Sequence, residues 1–194
     1  MADEFEEANA RADALAGNCQ SARALGRPAF ALALCGDSGL AEKLAHQTSE
    51  SQPNGTIWNA VQLPEIQAML ALNRNDPSAA VDRMTAAVPY ERAYPDAIYV
   101  RGLAYLKMRK GAEAAAEFEK IVDHKGASWG ATWVHPNWGQ YYSLSYLGMA
   151  RGFALAREGA KAKKAYEDFF ALWKDADRDL PLFVRARAEY AKLQ

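Results

Sequence analysis

YVRGLAYLKMRKGAEAAAEFEKI, residues 99–121, reads as two helical stretches joined by a short turn near Arg109 to Gly111. Before the turn, Tyr99, Leu103 and Leu106 recur at intervals of three and four residues; after it, Ala114, Phe118 and Ile121 do the same. The same order of small, bulky and core residue stands 34 residues earlier in Ala80, Met84 and Ala87. It returns 48 residues later in Ala162, Tyr166 and Phe169. The longer interval reflects extra residues in HKGASWGATWVHPNWG, 124–139. Upstream, Gly36, Asp37 and Ala41 look like the turn of an earlier hairpin, with Ala41 standing 39 residues before Ala80. One helical hairpin cannot bury its own apolar face, so a hairpin repeated at such intervals is expected to stack on its neighbours.

The expected architecture is all-α, a right-handed superhelical array of antiparallel hairpins forming an α-solenoid over a single domain, 1–194. Clear hairpins are expected at about 58–88, 95–123 and 141–174, preceded by degenerate helices over 3–47 and closed by a capping helix over 181–193. In the first part, a helix over 3–16 stops at Gly17 and Asn18, and a short helix follows through Ala22 and Leu25. Pro28 then opens a third helix that ends at Cys35. Gly36 and Asp37 stop that helix and cap the next, 38–47, while the Ser-, Gln-, Pro- and Asn-rich stretch 48–55 reads as a loop. Asp76 is the expected N-cap of a helix over 76–88, with Pro77 in its first position.

Composition narrows the function classes. Lys and Arg number 23 against 24 Asp and Glu, so the concentrated positive charge that nucleic acid binding requires is missing and nucleic acid is not an expected partner. No apolar run reaches the eighteen or so residues of a membrane span, and the acidic start 1–7 has the wrong charge for a signal peptide. A water-soluble, cytoplasmic body is expected. Cys19 and Cys35 match no metal-ligand spacing and read as small core residues, with a disulfide as the alternative. His124 and His135 lack the i, i+4 partner of a helical metal site, so no metal and no cofactor are expected.

The segments YVRGLAYLKMRKGAEAAAEFEKI and LGMARGFALAREGAKAKKAYEDFFALWKDAD resemble tetratricopeptide repeats. With GNCQSAR, ALALCGD, AAVPYER, RGLAYL and the closing ALWKDAD and AEYAKLQ, they resemble more narrowly the carboxy-terminal repeat region of bacterial Ser/Thr protein kinases of the eukaryotic-like type. The kinase itself is not encoded: no Gly-rich phosphate loop, strand Lys, HRD-type catalytic loop or DFG occurs. The resemblance implies a regulatory or partner-binding segment with no catalytic residues. It also leaves open an extracytoplasmic domain of a membrane-bound kinase as the alternative compartment.

In the resembled class the first helix of each hairpin lines a concave groove. By register its inward positions are Gln62, Glu65, Met69 and Leu72, then Tyr99, Leu103, Leu106 and Lys107, then Leu144, Leu147, Arg151 and Leu155. The groove would be apolar with two isolated cations, and the alternative for each position is packing against a neighbouring hairpin. The Lys, Asn and Arg cluster with which some such repeats hold a chaperone's end carboxylate is absent, which disfavours chaperone docking.

A second candidate surface is the insertion with Trp129, Trp133, His135 and Trp138, followed by Tyr141 and Tyr142. It reads either as an aromatic platform or as a loop that buries its own indoles. The function expected is a non-catalytic scaffold that binds protein or peptide for a linked Ser/Thr kinase. The alternative is a small-ligand or glycan sensor built on 124–139, and homodimerisation is left open.

Overall fold

The computed structural model describes the backbone of residues 22–124 and 138–193, with side chains from 28 to 124 and from 141 to 193. The expected helix over 3–16, Cys19, Trp129, Trp133 and His135 lie outside the described residues, as does the side chain of Trp138. The described residues are helical, without a strand. Backbone contacts divide the chain into two compact units, 1–90 and 91–194.

The first unit holds α1 (Ala22–Cys35), α2 (Ser38–Ser51), α3 (Leu63–Asn73) and α4 (Pro77–Arg83). Pro28 lies inside α1 rather than opening a separate helix, so the two helices expected there are one. α2 runs to Ser51 and absorbs part of the expected loop. Thr48, Ser49 and Ser51 remain helical by turning their hydroxyls back onto the carbonyls of Leu44, Ala45 and Gln47 at 2.9, 3.0 and 3.1 Å. A π-helical turn, Trp58–Gln62, leads into α3. Pro64 has no N–H to return to the preceding turn, and the widened register steps over that gap. The Trp58 indole is buried and donates to the Ser49 hydroxyl at 3.1 Å, fastening this turn to α2.

The helix expected over 76–88 is α only as far as Arg83 and continues as a 3-10 segment, Met84–Tyr90. Pro89 disfavours α geometry just before it, and three residues per turn keep Met84 and Ala87 on one buried side. Cys35 is exposed, against the expectation of a small core residue, because it lies at the last position of α1 beside the turn.

The second unit holds α5 (Asp96–Lys107), α6 (Gly111–Asp123), α7 (Trp138–Leu155), α8 (Gly159–Leu172) and α9 (Pro181–Ala191). α6 packs against both α5 and α7, so its two hairpins stack. The Phe118 ring of α6 is caught between two glycines: a Cβ on Gly102 of α5 would lie 2.7 Å from it, and one on Gly148 of α7 2.6 Å. Backbones touch where α6 enters, since a Cβ on Gly111 would fall 2.5 Å from the Gly152 carbonyl. Leu147, Ala150, Ala165, Tyr166, Phe169, Phe183 and Ala186 form the second core, which α9 closes through Phe183 and Ala186. Each fully buried large side chain of this kind contributes roughly 1.5–3 kcal/mol.

One turn is built four times. Gly36, Asn75, Arg109 and Arg157 have φ of 89°, 63°, 58° and 63°, and each ends the first helix of a hairpin. At each, two reversed backbone hydrogen bonds close the helix end, as in Asn75 N–H to the Leu72 carbonyl at 3.0 Å and Asp76 N–H to the Ala71 carbonyl at 2.9 Å. The residue seven positions before is small and buried every time: Ala29, Ala68, Gly102, Ala150. Five positions after stand Ala41, Ala80, Ala114 and Ala162, all 0 % exposed. Nine after stand Ala45, Met84, Phe118 and Tyr166, and twelve after Thr48, Ala87, Ile121 and Phe169, all buried. Asp37 and Asp76 cap the helices that come next by accepting from Leu40 N–H at 3.1 Å and Ala79 N–H at 3.0 Å.

Candidate functional site

The expected groove positions divide by burial. In the first unit Gln62, Glu65, Met69 and Leu72 are buried, as is Leu147 in the second, where it belongs to the core. Tyr99, Leu103, Leu106, Leu144, Arg151 and Leu155 are half-buried, and Lys107 is exposed. The accessible members of the set therefore lie on α5 and α7.

Three of them meet in one cleft. Leu106 of α5 and Arg151, Ala154 and Leu155 of α7 line a space of about 440 Å³ together with Tyr166 of α8 and Glu189, Lys192 and Leu193 at the chain's end. Its lining combines aliphatic side chains with a polar cluster. Arg151 grips the Glu189 carboxylate with both arms of its fork, Nε to Oε2 at 2.8 Å and an Nη to Oε1 at 3.1 Å. The Tyr166 hydroxyl donates to the same carboxylate at 2.9 Å. Burial and this bond push the Tyr166 phenol above its ordinary range. Tyr99 stands nearby with its ring against Phe118 and Tyr141, at centroid distances of 5.5 and 5.1 Å. Burial pushes its phenol up to about 12, with the Arg151 charge pulling the other way.

In the same unit, Arg101 of α5 forms a nearly buried ionic knot. One nitrogen bonds the Glu117 carboxylate at 2.7 Å and another meets Glu91, while Lys120 reaches the second Glu117 oxygen at 2.8 Å. Burial alone would lower the Arg101 pKa, but the hydrogen bonds it donates to Glu117 and Glu91 outweigh it and raise the value. The knot ties the approach to α5 to the face of α6.

Sequence reasoning placed Tyr166 only in the core and left Glu189, Lys192 and Leu193 out of the site. A signal was present, because a tyrosine at a position that takes Met or Phe in other hairpins needs a partner for its hydroxyl. His124 turns Nδ1 to the Lys120 carbonyl at 2.8 Å, and no cluster of three metal-ligating side chains occurs among the described residues. No described helix is long and apolar enough to cross a membrane. Compared with known proteins, the chain matches no family model, no curated protein and no solved structure.

Proposed function

We propose that the chain is a non-catalytic, peptide-binding module of the tetratricopeptide type, its hairpins arrayed as a right-handed solenoid closed by α9. The observation that carries this reading is the fourfold recurrence of one left-handed turn with the same small, bulky and core positions around it, at intervals of 39, 34 and 48 residues. One interval equals the period of that repeat class. The cleft supports it further, because Leu106, Arg151, Ala154 and Leu155 of its lining stand on the first helices of two successive hairpins. The similarity of the repeat segments to the tail region of bacterial Ser/Thr kinases makes such a kinase the proposed linked enzyme, for which this chain recruits partners.

The test is a random peptide library displayed against the folded chain, with affinities measured by fluorescence anisotropy for wild type and Leu106→Glu. Leu106 is half-buried, and circular dichroism checks that the variant is folded. Selected peptides should bind wild type and lose Leu106→Glu by roughly tenfold or more, about 1.4 kcal/mol. A library that yields no binder sinks the reading. The kinase link is tested separately, by reading the genomic frame upstream of the Met1 codon for a Gly-rich loop and an HRD-type catalytic loop.

A further inference from the structure

The surroundings of Glu189 deepen the peptide-binding reading, and the role assigned to this residue rests on that reading. A bidentate guanidinium and a phenol converge on one carboxylate in a cleft lined also by Leu106, Ala154, Leu155 and Leu193, and that carboxylate comes from α9. Such a fork favours carboxylate and phosphate groups over neutral acceptors, and here it holds a carboxylate. The pair is within reach of water, with 27 % of the Arg151 side chain and 29 % of Glu189 exposed, so a carboxylate from solution can approach the guanidinium. One turn beyond Glu189, Lys192 lines the rim as an exposed cation. The cleft thus carries two cations against one anion, between Leu106, Leu155 and Leu193.

We propose that Glu189 is an internal stand-in for a partner's acidic side chain, and that the cleft takes a peptide segment pairing a Glu or Asp with an aliphatic residue. The partner carboxylate displaces Glu189 from Arg151 and is steered in by Lys192, while its aliphatic neighbour fills the space between the leucines. Glu189 sets the threshold: a peptide must outcompete it, so weakly acidic segments are turned away.

The test uses the full chain and two fluorescein-labelled peptides, one of Leu, Glu and Ala and its analogue with Gln for every Glu. Anisotropy is read for wild type, Glu189→Gln, Arg151→Gln and Lys192→Glu, and each variant's melting is followed by circular dichroism. Removing the competitor should tighten the acidic peptide roughly threefold or more, and the other two variants should weaken it by at least as much. The Gln analogue should bind weakly throughout. A merely structural role for Glu189 would leave affinity unchanged or lower it. Arg151→Gln loosens α9 as well as the site, so Lys192→Glu, at the exposed rim, carries the charge test independently of stability. Equal binding of the acidic peptide to wild type, Glu189→Gln and Lys192→Glu overturns the inference but leaves the peptide-binding reading standing. So does a library-selected peptide that binds where the acidic one does not. Only the failure of every peptide, whatever its composition, sinks both.

Discussion

Phe118 rests directly on Gly102: a Cβ at position 102 would come within 2.7 Å of its ring, and Gly148 crowds the same ring from α7, where a Cβ would come within 2.6 Å. Overpacking of this kind costs about 1–3 kcal/mol, against a gain of up to about 1 kcal/mol from replacing a helical glycine by alanine. Gly102→Ala and Gly148→Ala should therefore each lower stability by about 1–2 kcal/mol in urea titrations. Phe118→Leu should recover part of the loss in the double variant with Gly102→Ala. A Gly102→Ala protein more stable than wild type would show that the ring can shift.

The left-handed turns predict the opposite sign for a different glycine. Arg109 and Arg157 hold φ of 58° and 63°, a region that costs a residue with a Cβ about 1–2 kcal/mol. Glycine removes that strain but adds freedom to the unfolded chain, worth about 0.4–1 kcal/mol. Arg109→Gly and Arg157→Gly should each stabilise by about 0.5 kcal/mol and add when combined. Gly36→Ala should destabilise by about 1 kcal/mol, and thermal melts of the four variants check the pattern.

Arg101 should be intolerant of replacement. Its side chain is 9 % exposed between Glu91 and Glu117, at 15 % and 11 %, so Arg101→Met strips Glu91 of its cation and leaves Glu117 with Lys120 alone. Removing one partner of such a knot costs about 3–5 kcal/mol, whereas an apolar replacement of the whole set is close to neutral. Arg101→Met with Glu91→Gln and Glu117→Met should recover most of the stability that Arg101→Met loses, as read from denaturation midpoints.

Stability should fall in alkali earlier than lysine chemistry alone would dictate. Burial pushes Tyr99 up to about 12 and raises Tyr166 and Tyr146 as well, so the fold favours the neutral phenols. A phenol whose folded pKa exceeds its unfolded value of about 10 contributes fully below that pH, and the contribution drains away as pH rises toward the folded value. The urea midpoint should decline between about pH 10 and 12, and Tyr99→Phe should flatten that decline. An identical decline in Tyr99→Phe would remove Tyr99 from the account.

Much of the helical framework was legible because the hairpins repeat their small and bulky positions, and periodicity survives even where residues differ, as with Gly102 in place of Ala68 or Ala150. Boundaries of α6 and the caps at Asp37 and Asp76 came from turn chemistry that acts within a few residues. What failed was local signal overridden by context. Thr48 reads as a loop residue until its hydroxyl finds the Leu44 carbonyl, and Pro28 is accommodated within a helix it would ordinarily begin. The cleft was only half legible, because Arg151 and Glu189 are 38 residues apart and no periodicity links a helix face to a side chain on the closing helix.

In each unit the helices that pack most extensively are neighbours in chain order, α1 with α2, α3 with α4, α5 with α6, α6 with α7 and α7 with α8. Short sequence separations cost little loop-closure entropy, so chains of this kind fold in microseconds to milliseconds rather than seconds. Such a chain can form a hairpin as soon as its second helix has been synthesised, long before the later residues exist. Each new hairpin then leaves one apolar face bare only until its immediate successor in the chain is made, a shorter exposure than in folds that wait on distant partners.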